Sequence, residues 1–373
     1  MNGVVGTLRI LVDAYWWLSG PPSGRNVVIG MVTGWARTFP DDALTLLVRP
    51  DEADRIARDL ERRGIAATVR PVSRLARIHA VAARRAGRAA VDHDAVITQN
   101  FATRTGTAVS AVLVHDAMYV DHPEWFTLPE RAYLRLLRPS LRAAHLIFTT
   151  SSAETARIGR VWPETRDRLR RVGLDVPIDL VALEPRRPDA IAPGEEFILT
   201  VGRLNVRKNL RRLIDAYLGE DEVNSRHRLV VVGAPDGASE VLPGAAGGRV
   251  RFLRDVDDAE LRWLYAHARL FVLPSLDEGF GLPLLEARAA GTPAIASDLP
   301  VFREQEAEGW FDPRSTTDIA RALRNALAHE PRRRTPDPDR PGSASTPWAS
   351  TVERMRGAVT GIRHEERAHV APA

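Results

Sequence analysis

The residues with the most chemistry to offer in this 373-residue chain are few and closely spaced. Of 52 basic residues only Lys208 is a lysine, and all the others are arginine. An ammonium directs one compact charge into a tight site, whereas a guanidinium is a broad planar fork. Chance alone also leaves a lysine somewhere. This one, however, lies shortly after an apolar run, Phe197-Ile198-Leu199-Thr200-Val201, that ends in Gly202 and Arg203. A strand followed by glycine and a helix start is where α/β folds hold anions. Seventy residues on, a second apolar run leads into Glu278-Gly279-Phe280-Gly281-Leu282-Pro283-Leu284-Leu285-Glu286. Gly279 and Gly281 let the backbone approach a ligand closely, and Pro283 suits the first turn of a helix. Amides at that helix start face an anion, and Glu286 one turn in can accept hydrogen bonds from hydroxyls. Two glutamates on a helix are ordinarily a solvated face. The Gly-x-Gly loop directly after a strand favours a ligand that carries both a diphosphate and a sugar.

The elements that must position these groups alternate short apolar runs with longer helical patterns, the signature of parallel sheets with crossover helices. Runs at 8–13, 44–48, 66–69, 95–98, 109–114 and 146–150 read as strands of one domain. Runs at 197–201, 228–232, 250–253, 270–273 and 293–296 read as strands of a second. A chain of this length exceeds what one core sustains, so two domains are expected: 1–176 and 195–330, joined by a Pro-, Asp- and Arg-rich seam. Residues 330–345 read as a link, and 346–373 as a terminal helix.

These residues carry a family resemblance. Val201-Gly202-Arg203 with Lys208-Asn209-Leu210, followed by Glu278-Gly279-Phe280-Gly281-Leu282-Pro283 and Glu286, resembles the retaining group 1 glycosyltransferases that include bacterial mannosyl- and rhamnosyltransferases. Further points of likeness are Asp257-Asp258-Ala259-Glu260-Leu261, Ala289-Ala290-Gly291-Thr292-Pro293 and, less specifically, His115-Asp116. The resemblance implies an α/β fold of the GT-B type, two Rossmann-like domains facing across a cleft, with the terminal helix returning to the first. It implies a nucleotide-diphospho-sugar donor, as substrate rather than cofactor, and a hydroxyl acceptor on a glycan or lipid. Arg203 and Lys208 are then assigned to the diphosphate, with Gly202 beside them. Glu286 goes to the ribose, Glu278 and the Gly279, Phe280, Gly281 and Leu282 segment to the transferred sugar, and Val256 to the base. His115 is placed near the transferred sugar, where an isolated histidine is as often structural. Gly24 is assigned to the donor phosphate or acceptor, although Gly20-Pro21-Pro22-Ser23-Gly24 departs from the family's double-glycine form. Lys208 is expected to be an exposed cation whose removal leaves folding intact. The same fold admits two alternatives, a nucleotide-sugar epimerase and a non-catalytic binding subunit. The paired glutamates and intact cations argue against both.

Other features narrow the class. Tyr15-Trp16-Trp17 can stack on an acceptor sugar, but core packing is the commoner fate of tryptophan. In residues 73–90, Leu75, Ile78, Ala82 and Ala86 share a helical stripe beside Arg74, Arg77, Arg84, Arg85 and Arg88. That pattern fits either a helix on an anionic membrane surface or a core-packed helix with a solvated arginine face, and the second is favoured in so arginine-rich a chain. At 44% hydrophobic and 27% charged the composition is that of a globular protein. No run is long enough for a membrane span. The first residues lack the form of a signal peptide, so cytoplasmic residence is expected. The absence of cysteine excludes disulfides, thiolate zinc and cysteine nucleophiles. A net charge of +4 without basic-aromatic clusters predicts no nucleic-acid partner. Asp41-Asp42 and Asp257-Asp258 sit at turns or helix starts, where aspartate caps, so no metal is expected.

Overall fold

Runs of aliphatic residues buried on both faces build two wholly parallel sheets, each flanked by helices. The computed structural model describes residues 6–72, 79–235, 248–328 and 347–370. The chain falls into two compact units, Met1–Ala117 with Pro129–Ile178 and Thr346–Ala373, and Met118–Leu128 with Asp179–Ser345. The segment Met118–Leu128 thus groups with the second unit although the sequence around it belongs to the first. Its own rings pack together, His122 stacked on Trp125 at 3.9 Å and Tyr119 edge-on to Phe126 at 6.5 Å.

The first unit contains β1 (Arg9–Asp13), β2 (Ala43–Val48), β3 (Ala67–Pro71), β4 (Ala95–Gln99), β5 (Val109–Val114), β6 (Leu146–Thr149) and β7 (Leu169–Arg171), in the order β3-β2-β1-β4-β5-β6-β7. The second contains β8 (Phe197–Val201), β9 (Arg228–Val232), β10 (Val250–Leu253), β11 (Leu270–Leu273), β12 (Ala294–Ser297) and β13 (Gly309–Phe311), in the order β10-β9-β8-β11-β12-β13. Both follow the doubly wound pattern in which strand order reverses beside the first strand, and ligands lodge at the carboxyl edge of that reversal. In the first unit the reversal lies between β1 and β4. In the second it lies between β8 and β11. Strands β7 and β13 were not legible in the sequence: each has three residues at a sheet edge, and β7 is two-thirds arginine. No helix among the described residues is long and apolar enough to cross a membrane.

The terminal helix, Ala349–Val370, packs on the helix Pro22–Thr38 of the first unit. Trp348, just before it, is wholly buried and lies on a notch formed by Gly30 and Gly34, one turn apart on that helix. A Cβ at Gly30 would stand 2.1 Å from the indole, and one at Gly34 2.5 Å from the Trp348 Cβ. The indole N–H donates to the Val176 carbonyl at 2.9 Å, and the Trp348 amide donates to Asp175 at 3.0 Å. About two turns further along the helix, Arg356 donates twice to Asp42, at 2.8 and 2.9 Å. Asp42 also accepts from the Leu8 amide at 2.8 Å and the Trp35 indole at 3.0 Å. Burial works to raise the Asp42 carboxyl, but the Arg356, Leu8 and Trp35 donors outweigh it and hold it below the usual range.

The notch yields a test. Trp348→Ala empties a filled site and should cost about 3–5 kcal/mol of stability to denaturant. Gly34→Leu should cost a comparable amount by ejecting the indole. A melting profile unchanged in both variants would show that the terminal segment is not part of the first unit's core.

Candidate functional site

Most of the groups singled out from the sequence in the second unit lie on two loops, one after β8 and one after β11; Glu286 is in the helix that follows the second, and Val256 stands apart, after β10. Strands β8 and β11 are neighbours at the reversal point, so their loops leave the sheet side by side. Gly202 directly follows β8, and the chain then makes a single 3-10 turn, Val206–Lys208, capped by Asn205, whose side chain accepts from the Lys208 amide. A Cβ on Gly202 would sit 2.9 Å from the Lys208 Cε, so glycine makes room for the lysine stem to fold back over the strand end. Asn209 follows in the left-handed conformation at φ 54°. Its side-chain Nδ2 donates to the Pro274 carbonyl at 3.0 Å and the Pro313 carbonyl at 2.7 Å. The Leu276 amide donates to the Arg207 carbonyl at 2.8 Å. The two loops are therefore joined through the backbone before any charge is considered.

The charges then close the joint. Lys208 Nζ donates to Glu278 Oε1 at 2.5 Å, Ser275 Oγ donates to the same oxygen at 2.8 Å, and Arg207 donates to Oε2 at 2.6 Å. Lys208 is only 6% exposed, so the expectation of an exposed, structurally dispensable cation is corrected. The loop turn points the lysine down against Gly202 and Glu278 rather than outward. Burial works to raise the Glu278 carboxyl, yet the charges of Arg207 and Lys208 and the Lys208 and Ser275 donors take it down to about 2. Burial lowers the Lys208 ammonium, opposed by Glu278 and aided by the positive charges of Arg207 and Arg203. Arg203 stands half-buried on the same loop.

The hydrogen-bond inventory shows what this cluster has left to give. An ammonium has three donors and Lys208 spends one on Glu278. A carboxylate offers about four acceptor positions and Glu278 has filled three. The cluster therefore retains donors for an anion and one acceptor position for a hydroxyl.

Beyond it, Gly281 takes φ 89° and caps the helix Leu282–Ala289, with Pro283 in its first turn. A Cβ there would lie 2.4 Å from the Phe302 ring. The Phe280 carbonyl is held by Gln305 at 2.8 Å, Gly279 is buried, and Leu282 is half-buried. Glu286 lies in this helix, 7% exposed, and its Oε2 accepts from the Tyr265 hydroxyl at 2.7 Å. Burial raises its carboxyl to about 7, against the Tyr265 hydrogen bond and the Lys208 charge. Val256 is half-buried just before the Asp257 cap of the helix Asp258–His267. Arg207, Ser275 and Tyr265 were missed in the sequence, and Asn209 was given no role there although it stands in the Lys208-Asn209-Leu210 motif. Of the three missed, only Arg207, adjacent to Lys208, carried a signal.

His115 and Gly24 belong to the first unit. His115 follows β5, and its Nε2 bonds to the Gln99 side-chain oxygen at 2.8 Å. Its amide is held by Asn100 at 3.2 Å. Burial, then the nearby His79, lowers the imidazole to about 4, so it is neutral at physiological pH. Gly24 is buried against the Trp16 ring, where a Cβ would stand 2.4 Å away. The glycine's missing side chain is thus occupied by tryptophan. Trp16 in turn lies on His79 at 4.1 Å, and His79 bonds to Asp13 at 2.7 Å. Trp17 is core, its indole donating to Asp59 at 2.9 Å. Of residues 73–90, those at 73–78, including Arg74, Leu75, Arg77 and Ile78, lie outside the described residues. The rest form the helix His79–Ala89, whose Ala82 and Ala86 are buried in the core of the first unit.

The Glu278 cluster has a stability signature. Its carboxyl falls from about 4.5 unfolded to about 2 folded, so its contribution is complete above pH 4.5 and is lost as pH falls towards 2. Glu278→Gln leaves Lys208 buried without its counter-charge and should cost about 3 kcal/mol or more at neutral pH. It should also flatten the acid limb of the stability curve measured by urea unfolding. An unchanged acid limb would refute the buried pair.

Similarity to known proteins agrees with this geometry. Residues 183–338 match the family model described as glycosyl transferases group 1. O-antigen chain mannosyltransferase B of Escherichia coli is 33% identical over 205 residues, 51% of this chain and 53% of that protein. O-antigen chain mannosyltransferase RfbU of Salmonella typhimurium is 29% identical over 224 residues, 57% of this chain and 60% of that one. The matches thus span little more than half the length of these curated relatives. WaaG, a glycosyltransferase involved in lipopolysaccharide biosynthesis, superposes with a TM-score of 0.61 at 16% identity, over 94% of this chain and 95% of its own, and shows the fold. Residues 183–338 are thus similar to the group 1 glycosyl transferases, within a chain whose two parallel α/β units share the GT-B fold of WaaG.

Proposed function

We propose that the protein is a glycosyltransferase that moves a sugar, with retention and without a metal, from a nucleoside-diphospho-sugar to a hydroxyl of a glycan or lipid-linked glycan. The observation that carries this reading is the clustering of Arg203, Arg207 and Lys208 on one loop at the carboxyl edge of the second sheet, with Glu278 among them. Departure of a diphosphate builds negative charge on its oxygens, and fixed cations lower that barrier. Lys208 keeps two donors for it and Arg203 offers a planar fork. Cationic side chains supply the charge that a metal supplies elsewhere, which supports the metal-free reading. Glu278 is a weak nucleophile, because three donors engage it and hold its carboxyl at about 2. Its remaining acceptor position suits a hydroxyl of the transferred sugar, while Glu286 suits the ribose. Mannose is the proposed sugar, on the names of the relatives. Cytoplasmic residence is proposed with it, on the cysteine-free sequence. Docking of residues 73–90 on anionic lipid gains no support, since Ala82 and Ala86 are spent on the core.

Release of nucleoside diphosphate from a panel of nucleotide-sugars tests the reading. Arg203→Ala and Lys208→Ala should each lower turnover about 10²-fold or more, the scale for removing one donor to developing charge. Lys208→Arg should also be impaired, because its fork does not fit against Gly202. A chelator should leave the rate unchanged. Full activity in Lys208→Arg would sink the argument from the single lysine, and no release from any nucleotide-sugar would sink the function.

A further inference from the structure

Tyr265 belongs to no motif recognised in the sequence. It lies on the helix Asp258–His267, wholly buried, with its ring tilted against Phe271 at 5.6 Å. Its hydroxyl donates to Glu286 Oε2 at 2.7 Å. The other carboxylate oxygen, Oε1, has no hydrogen-bond partner among the described residues and is not sealed from solvent. The two oxygens of Glu286 are therefore unequal, one tied inward and one left open.

We propose that Tyr265 is the positioning residue of Glu286, locking one carboxylate oxygen so that the other is presented as an acceptor to the ribose hydroxyls of a nucleoside diphosphate. The inference rests on the reading of Glu286 as a donor-binding group given above. The final torsion of a glutamate is broad, so an untethered carboxylate samples many orientations. One short hydrogen bond at the back fixes it. A phenol that donates to a carboxylate also favours its charged form. That matters here because burial works against the charge. Burial and Glu286 together raise the Tyr265 hydroxyl well above its ordinary value, so it stays a donor throughout the working pH range. The other charges acting on Glu286 are Lys208, from the loop after β8, which favours the carboxylate, and Asp258, from the Tyr265 helix, which disfavours it.

The test is calorimetric titration of wild type, Tyr265→Phe, Glu286→Gln and the double variant with GDP, UDP and ADP in turn, from pH 6 to pH 8.5. Tyr265→Phe keeps the ring and removes only the donor. It should weaken whichever nucleoside diphosphate the wild type binds by about tenfold. It should also move the pH midpoint of binding upward, because losing the donor makes the carboxyl easier to protonate. The ligand's own phosphate titrates identically in both proteins, so the difference belongs to the protein. In the Glu286→Gln background, Tyr265→Phe should have no further effect. Thermal melting checks that each variant folds. A merely structural tyrosine would lower the melting temperature without moving the midpoint. If Tyr265→Phe binds with unchanged affinity and midpoint while Glu286→Gln is weakened, the positioning role fails alone. If Glu286→Gln binds like wild type, the reading of Glu286 fails with it.

Discussion

The second unit depends on one buried contact between charges, Lys208 on Glu278 at 2.5 Å. Neither ion is tolerable alone in an enclosed site, since an unpaired buried charge costs several kcal/mol. Together, with Arg207 and Ser275 filling two further acceptor positions of Glu278, they join the loops after β8 and β11. These are the two loops that a doubly wound sheet places on either side of its ligand crevice. Holding them with charged groups rather than aliphatic ones keeps donors available where an anion is to be received. The same contact thus fixes the loop geometry and stores the cationic charge that the proposed chemistry uses.

Glu278 and Glu286 share a residue type and a loop-helix segment but differ in electrostatic environment. Glu278 sits among two cations and is held at about 2. Glu286 has one phenolic donor and is raised by burial to about 7. Two carboxyl groups eight residues apart are thereby shifted in opposite directions, one held charged by its cations and the other pushed by burial towards its neutral form. The difference comes from neighbours remote in sequence: Ser275, Arg207 and Lys208 for the first, Tyr265 for the second.

The first unit solves a different problem. Its large aromatic residues need space, and glycines supply it: Gly30 and Gly34 for Trp348, Gly24 for Trp16. The terminal helix becomes part of this unit through Trp348 and the Arg356–Asp42 contact. Around the start of the helix Pro22–Thr38 the Trp16 ring likewise occupies the place that side chains at Gly20 and Gly24 would take.

The sequence by itself determined the α/β class, most of the strands and the two loops, after β8 and β11, that carry most of the candidate site residues. Strands buried on both faces are written as continuous apolar runs, and the Gly202 turn and the Gly279–Gly281 loop mark strand ends directly. Edge strands β7 and β13 escaped because three residues are too few to carry a periodic signal. Tertiary structure alone decided how Lys208 is used, because burial and pairing depend on a glutamate seventy residues away. It likewise decided that Tyr265 meets Glu286, that Gln99 holds His115, and that Gly24 accommodates a tryptophan. In each case the deciding atom comes from another element of the fold, and local pattern has no record of which elements will be neighbours.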